Sequence, residues 1–213
     1  MPSRIHHVKN RPALPYGEVH VFVAALRAMD TVPARAPEFA ILTGGRTREI
    51  LGARWPEMDL DQKLWTIPAE RMTRKGGRRR AHEVPLSGAA IAVLEKMREV
   101  CRSDAVFPGD RGPVINRDAM NRAAKQIRPE IVPHGFRSTF RDWAGDKTPF
   151  PREIAEEALA HVVGNETERA YRRLGALTKR RKLMEAWAAW CNRPSGQVLN
   201  MKQDKRQRAE IRA

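Results

Sequence analysis

The chain is poor in several residue types, and each shortage excludes a class of protein. Only two of its 213 residues are cysteines, Cys101 and Cys191, and they do not form a CxxC pair. A disulfide framework or a zinc finger is therefore not expected. No cluster of histidine, cysteine and aspartate has the spacing of metal ligands, so a zinc enzyme is also not expected.

Long apolar runs are missing as well. No stretch approaches the length of about 20 residues that a membrane-spanning helix needs. The first residues, MPSRIHH, contain no apolar core of the kind found in a signal peptide. Together with the unpaired cysteines, which are typical of a reducing compartment, these absences predict a cytoplasmic protein without a membrane partner.

Acidic residues are in deficit. The chain contains 40 lysines and arginines against 25 aspartates and glutamates, which gives a formal net charge of +15. Such an excess favours a polyanionic partner, because basic side chains release counterions from nucleic acid when they bind it. Hydrophobic residues make up 41% of the chain, which is enough for a core in one domain or at most two small ones.

Tyrosine is scarce too, and one of the two tyrosines, Tyr171, follows a spaced series of basic residues. The series consists of Arg46, His134, Arg137 and His161. One guanidinium group can bind two phosphate oxygens at once, and an imidazole can transfer protons near neutral pH. A tyrosine oxygen can form a covalent intermediate. These residue types suit attack on a phosphodiester without a metal. His134 and Arg137 also begin a predicted helix, where free N–H groups favour an anion.

Periodicity and capping residues predict a mainly helical chain with a few short strands. Strands are expected at residues 64–67 and 82–85, which would form a hairpin with a cationic tip at 71–80, and at 105–107. Residues 59–61 are expected to form a turn, and Ser87 is the expected N-cap of the next helix. Helices are expected at residues 18–29, 38–43, 47–52, 88–101, 116–127, 135–145, 151–160, 166–174 and 178–190. The last of these would begin with four cations, residues 179–182, which oppose the helix dipole.

Four separate motifs resemble the catalytic boxes of the tyrosine recombinases. They are LTGGRTREIL at residues 42–51, PHGFR at 133–137, LAH at 159–161 and AYRR at 170–173. The segments IPAERM (67–72), VPLS (84–87) and HGFRSTFRDWA (134–144) are similar to those of bacteriophage and genomic-island integrases in particular. The resemblance covers residues 12–192 and implies a mainly helical α+β catalytic domain with a small antiparallel sheet at 58–86.

The resemblance also implies a role for each residue of the spaced series. Tyr171 is expected to be the nucleophile, which forms a 3′-phosphotyrosyl link to DNA and frees a 5′-hydroxyl. Arg46 and Arg137 would bind the two non-bridging oxygens of the scissile phosphate, where charge accumulates in the transition state. His134 would transfer protons near the nucleophile, and His161 would donate a hydrogen bond to the phosphate. The other histidines match no box and are expected to be ordinary: His6, His7, His20 and His82.

The leaving 5′-oxygen needs a proton, and the family uses a lysine on the β-hairpin for it. Lys75 is the only lysine between Lys63 and Lys96 and is therefore the candidate. Relatives place this lysine directly after a residue like Met72, where this chain has Thr73. One of the nearby arginines, Arg74, Arg78 or Arg79, can therefore assist in protonating the leaving oxygen.

The resemblance implies double-stranded DNA with attachment sites as the partner, and four protomers acting on two DNA sites. It implies no cofactor, because rejoining reverses the cleavage and the bond energy is retained. Glu49 is expected to orient the site. Contacts to DNA are expected from the hairpin and from the segment after the nucleophile, namely Arg71, Arg74, Arg78, Arg79, Arg80, Arg172, Arg173, Lys179 and Arg180. The apolar segment at residues 185–191 would pack either on a neighbouring protomer or in the core of its own chain.

Site-specific recombination, for integration or excision, is the function predicted, and two other functions stay open. A type IB topoisomerase shares this chemistry but relaxes DNA as a monomer, without site preference. A catalytically silent DNA-binding remnant would result from truncation, because full-length integrases carry a further helical domain before the catalytic one. Residues 1–16 are expected to be a basic extended lead-in, 17–192 the catalytic domain, and 193–213 a basic, flexible tail.

Overall fold

A computed structural model describes residues 13–72, 80–110, 112–161 and 166–194, and for residues 166–174 the description covers the backbone alone. The helices are α1 (Val19–Met29), α2 (Val32–Thr43), α3 (Thr47–Leu51), α4 (Gly88–Glu99), α5 (Arg117–Ile127), α6 (Phe136–Lys147), α7 (Arg152–Ala158) and α8 (Glu166–Cys191). The strands are β1 (Met58–Asp59), β2 (Leu64–Ile67) and β3 (His82–Pro85). Short 3₁₀ turns occur at Trp55–Glu57, Ala69–Arg71 and Pro133–Gly135. The mainly helical α+β fold predicted from the sequence is confirmed.

Helix α2 lies at the centre of the core, where it contacts α1, α4, α5 and α8. It begins at Val32, earlier than the predicted residue 38, because Pro33 falls in the first turn, where a missing N–H costs nothing. Ala34, Ala36 and Ala40 are buried along it, and their small side chains let the neighbouring helices approach closely. The end of this central helix is buried in the core, and the first arginine motif follows it.

The strands form one antiparallel sheet in the order β1-β2-β3. Strands β2 and β3 confirm the predicted hairpin, and Trp65 lies opposite Val84 on one side and Met58 on the other. Strand β1 was not predicted, since its two residues are too few to show an alternation. The predicted strand at 105–107 is wrong. Only Ala105 forms a bridge, to Arg54, so this segment lies beside the chain before the first 3₁₀ turn without extending a sheet.

Helix α8 is continuous, so the prediction of two helices at 166–174 and 178–190 is wrong. Gly175 lies between them, but one glycine inside a helix costs only about 1 kcal/mol relative to alanine. Helix α8 packs against α2, α4, α7 and β3, and this packing favours a continuous helix. The four cations at 179–182 therefore lie within a helix and not at its N-terminus, and the expected conflict with the helix dipole does not arise.

The end of α8 packs in the core of its own chain. Trp187 and Cys191 are 0% and 1% exposed, and the Trp187 indole N–H donates to the Ile41 carbonyl at 2.7 Å.

Leu14, which precedes α1, is also buried, and its carbonyl accepts a hydrogen bond from the Thr139 hydroxyl at 2.6 Å. Ser87 accepts from the Ala90 N–H, as predicted for the cap of α4. Within the described part of the chain, no helix is long and apolar enough to cross a membrane.

Candidate active site

The first arginine motif lies at the turn between α2 and α3. Helix α2 ends at Thr43 and is capped by Gly44, whose φ of 65° is a left-handed conformation that favours glycine. A Cβ at Gly44 would also lie only 2.9 Å from Cδ2 of Leu159, so the two segments touch. Glu49 accepts the backbone N–H of Arg46 at 2.7 Å and its guanidinium at 2.8 Å. Since Glu49 is 2% exposed, a buried carboxylate fixes Arg46 at the start of α3.

The second arginine is held in the first turn of α6. Arg137 is 6% exposed, and its Nη1 donates to the Gly44 carbonyl at 2.5 Å. Its Nη2 donates to the Leu159 carbonyl at 2.6 Å, and Nη2 of Arg46 donates to the same oxygen at 3.4 Å. The two arginines therefore meet at one carbonyl. His134 precedes Arg137 in the 3₁₀ turn before α6, where it is exposed.

The shared carbonyl belongs to the C-terminal end of α7, and helix geometry explains why cations gather there. Helix α7 ends at Ala158, and its last carbonyls have no partner inside the helix. These carbonyls carry partial negative charge and favour cationic donors. Ala160 has a φ of 52°, so the chain turns sharply before His161. His82 of β3 reaches the same end, with its Nε2 at 3.3 Å from the Ala158 carbonyl.

His161 is hydrogen-bonded at both ring nitrogens. Its Nδ1 contacts the Glu156 carboxylate, and its Nε2 lies 2.9 Å from Nη2 of Arg137. Because arginine can only donate, Nε2 accepts and the proton of the neutral imidazole is on Nδ1. Burial alone would raise the pKa of Glu156, but the hydrogen bond from His161 and the nearby positive charge, which includes Arg141 and Arg152, together outweigh burial and lower that pKa. The pair fixes the orientation of His161 beside Arg137.

No carboxylate that is directly bonded to Arg137 is among the described contacts of the site. Burial, followed by the charge of Arg46, lowers the pKa of Arg137 to about 10, while Glu49 and Glu156 act in the opposite direction. Arg137 nevertheless stays charged at pH 7. Its described hydrogen-bond partners are two carbonyls and an imidazole, and no carboxylate is among them.

This arrangement suits an anion. A desolvated guanidinium without a directly bonded carboxylate is stabilised when an anion binds beside it. Among the described residues, no group of three or more histidine, cysteine, aspartate and glutamate side chains could hold a metal ion.

Other predicted site residues lie wholly or partly outside the description. Tyr171 belongs to α8, which packs against α7, but its side chain lies outside the described residues, as do those of Arg172 and Arg173. The segment 73–79 is outside them altogether, and it contains Lys75, Arg74, Arg78 and Arg79.

Four of the cations expected to contact DNA are described, and they form two groups. Arg80 and Lys179 are exposed. Arg71 and Arg180 are half-buried, and they donate to main-chain carbonyls at 2.7 Å and 2.6 Å. The contacts of Arg71 and Arg180 therefore hold segments of the chain together.

Sequence reasoning did not single out two residues that contact the site. Glu156 could have been suspected, because it lies five residues before His161 across a predicted helix end. His82 was expected to be ordinary, and no local pattern distinguishes it. Burial, followed by the charge of Arg180, lowers the pKa of His82 to about 4, so this imidazole is neutral near pH 7.

Comparison with known proteins gives the same family as the motifs. The phage integrase family matches residues 17–176. Prophage integrase IntA of Escherichia coli (strain K12) is 39% identical over 153 residues, which cover 70% of this chain and 36% of that protein. The integrase of Enterobacteria phage P4 is 30% identical over 211 residues, which cover 91% of this chain and 48% of that protein. The chain thus spans about half, or less, of the length of the curated relatives it matches.

A solved structure supports the fold. The crystal structure of XerA recombinase superposes with a TM-score of 0.56 at 13% identity, covering 96% of this chain and 66% of that one. These matches do not favour a topoisomerase or a silent remnant. The family match also includes all four motifs, from residue 42 to residue 173. The chain therefore belongs to the phage integrase family of tyrosine recombinases.

Proposed function

We propose that the chain cleaves and rejoins duplex DNA at specific sites by transesterification, with Tyr171 as the nucleophile. The observation that carries the proposal is the meeting of Arg46 and Arg137 at the Leu159 carbonyl, with His161 bonded to Arg137. Both guanidinium groups keep further N–H donors for the non-bridging oxygens of a phosphate. Charge builds up on those oxygens during attack, so fixed donors stabilise the transition state more than the ground state.

The proposed reaction is balanced without a cofactor. The phenolic oxygen of Tyr171 attacks phosphorus, its proton passes to His134 or to solvent, and the bond from phosphorus to the 5′-oxygen breaks. The 5′-oxygen takes a proton from Lys75, with the hairpin arginines Arg74, Arg78 and Arg79 as alternatives. The 3′-phosphotyrosyl ester keeps the bond energy, so a 5′-hydroxyl from another strand can reverse the step and rejoin the DNA.

Supporting residues keep the phosphate ligands in place. Glu49 binds both the main chain and the side chain of Arg46. Glu156 holds the proton of His161 on Nδ1, and in the absence of phosphate Nε2 accepts from Arg137. When His161 takes up a second proton, Nε2 becomes a donor that suits a phosphate oxygen.

Double-stranded DNA with attachment sites is the proposed substrate. The net charge of +15 and the exposed cations Arg80 and Lys179 support it. Arg74, Arg78, Arg79, Arg172 and Arg173, whose side chains lie outside the described residues, are further proposed contacts to the DNA. Four protomers on two DNA sites would exchange strands for integration or excision, in the cytoplasm.

Covalent capture tests the proposal. The protein is incubated in EDTA with a pool of nicked suicide duplexes whose sequence around the nick is randomised, and adducts are separated on a denaturing gel. Wild type should give a protein–DNA adduct, and Tyr171→Phe should give none. The chain has one other tyrosine, Tyr16, whose hydroxyl donates to Asp146 at 3.0 Å, so Tyr16→Phe is the matched control and should keep the adduct. A wild type without adduct, or an adduct that survives Tyr171→Phe, contradicts the proposal.

A further inference from the structure

The turn at the C-terminal end of α7 is bound by side chains from other elements of the fold. Its Leu159 carbonyl accepts from both Arg46 and Arg137. We infer that His82 is a positioning residue for the phosphate site: by binding the Ala158 carbonyl, it keeps this turn in the conformation that holds the two arginines. The inference rests on the proposed function, because it takes these arginines as the ligands of the scissile phosphate.

The main-chain oxygens at the end of α7 are satisfied in two different ways. The Glu156 carbonyl accepts from the backbone N–H of His161 at 2.9 Å, and the Glu157 carbonyl accepts from that of Ala160 at 3.0 Å. These two bonds close the helix within its own main chain. The next two carbonyls, at residues 158–159, have their described partners in side chains of β3, α6 and the start of α3. The end of α7 therefore depends on distant segments to satisfy its last oxygens.

The backbone that follows these carbonyls has an unfavourable conformation. Ala160 has a φ of 52°, a left-handed conformation that glycine adopts far more readily than a residue with a Cβ. Such a conformation persists where the surrounding contacts enforce it. His161 comes directly afterwards, and its Nε2 lies 2.9 Å from Nη2 of Arg137. Contacts that hold the turn therefore also set the position of His161.

His82 is well placed to supply one of these contacts. It pairs with Ile67 in the β2–β3 ladder, and Arg180 of α8 donates to the carbonyl of the next residue, Glu83, at 2.6 Å. Its Nε2 lies 3.3 Å from the Ala158 carbonyl, and since a carbonyl can only accept, Nε2 carries the proton. Burial, followed by the charge of Arg180, lowers the pKa of His82 to about 4. The neutral imidazole thus satisfies the oxygen without adding a cation that would repel the phosphate-site arginines.

A double-mutant cycle tests the inference on a duplex selected by the covalent capture. His82→Leu removes the donor and should slow cleavage per folded molecule by at least about 10-fold, because small displacements of groups that bind the reacting phosphate have effects of this size. In an Arg137→Ala background the loss should be at least about 3-fold smaller, since one of the groups that His82 positions is already absent. His82→Gln places an amide N–H near the position of Nε2 and should cleave within about 3-fold of wild type.

His20→Leu is the matched control, because His20 is a buried histidine of α1 whose Nδ1 accepts from Arg193 at 3.2 Å. It should leave cleavage per folded molecule unchanged in both backgrounds. The folded fraction of each variant is taken from its urea titration. His82→Asn, whose shorter side chain cannot reach the Ala158 carbonyl, should give the same losses as His82→Leu, so the cycle can be run with either variant.

Three outcomes overturn the inference. The first is no slowing when the donor of His82 is removed. The second is a loss that is as large in the Arg137→Ala background as in wild type, because His82 would then act independently of this arginine. The third is a His82→Gln variant as slow as His82→Leu. If wild type itself forms no adduct, the proposed function fails instead.

Discussion

Two clusters in this molecule each combine two arginines with a buried glutamate, and they differ in how the charges are balanced. In the first, both oxygens of Glu38 are taken, by Arg27 at 2.5 Å and by Arg35 at 2.9 Å. Arg35 also binds Asp30, so the cluster contains two cations and two acids. In the second, Glu49 pairs with Arg46, while Arg137 donates to carbonyls and to His161.

The pKa shifts of Arg35 and Arg137 reflect this difference. Burial would lower the pKa of Arg35, but its bonds to Asp30 and Glu38 outweigh burial and raise that pKa. Burial and the neighbouring Arg46 lower the pKa of Arg137 to about 10. An arginine cluster that is neutralised by acids supports the fold, whereas one that is held by main-chain dipoles keeps charge available for an anion.

Arg137→Lys should produce the largest change. Cleavage of the captured duplex should slow by about 100- to 1,000-fold, because an ammonium group cannot donate to two oxygens in the fixed geometry of a guanidinium. The control is Arg35→Lys in the balanced cluster, which should leave cleavage per folded molecule unchanged. A loss of less than about 10-fold for Arg137→Lys would show that this guanidinium does not bind the phosphate in the transition state.

Glu38→Gln should have the opposite profile. Removing the acid leaves Arg27 and Arg35 without their common partner, so the free energy of unfolding should fall by about 3 kcal/mol in urea titrations. Cleavage per folded molecule should stay near the wild-type rate. A variant as stable as wild type would mean that the first cluster does not depend on its carboxylate, and the contrast between the clusters would be lost.

His82, which lies beside the second cluster, should make the stability of the protein depend on pH. Its pKa is about 4 in the folded protein, where burial, Arg180 and Arg46 disfavour a further cation and Glu49 favours one. The unfolded value is about 6.5, so the unfolded chain binds more protons between these two values, and stability falls as the pH is lowered. The loss from pH 7 to pH 5 should be on the order of 2 kcal/mol for this group.

The measurement for His82 is urea unfolding at both pH values, with His82→Gln alongside wild type. The stabilisation that His82 provides is complete above its unfolded pKa and disappears as the pH falls towards its folded pKa. His82→Gln should therefore lose less stability on acidification than wild type. Equal losses in the two proteins would place the acid sensitivity elsewhere in the chain.

Glu156→Gln should have the smallest effect of this series. The glutamine oxygen can still accept from Nδ1 of His161, so the orientation of the ring is kept, but the charge of the carboxylate beside the imidazole is removed. Cleavage should slow by about 10-fold. Glu157→Gln, one residue further along α7, is the control. An unchanged cleavage rate for Glu156→Gln would show that His161 acts without the charge of this partner.

The sequence predicted the parts of the site that lie in contiguous motifs. Arg46 and Glu49 are three residues apart in one motif, and Arg137 and His161 each lie in a short box. The contacts that join these motifs could not be predicted, because they form where distant segments meet at the ends of α3 and α7. The partner of His82 is 76 positions away. No local pattern encodes that separation.

The same distinction applies to the fold. Alternation predicted β2 and β3 with their observed bounds. The continuity of α8 was missed because Gly175 resembles a break, and only packing along the whole helix shows that it is tolerated. The early start of α2 was missed for a similar reason, since its prolines suggested a boundary where the buried environment favours a helix.

One measurement tests the central claim most directly: that Arg137 neutralises charge on the scissile phosphate. Cleavage by wild type and by Arg137→Ala is compared on two captured duplexes, one with the natural phosphate and one with a neutral methylphosphonate at the scissile position. The methyl group removes the charge that the guanidinium would neutralise. The fold-loss in cleavage rate caused by Arg137→Ala should therefore be at least about 10-fold smaller on the methylphosphonate than on the phosphate. An equal loss on both duplexes would contradict the claim.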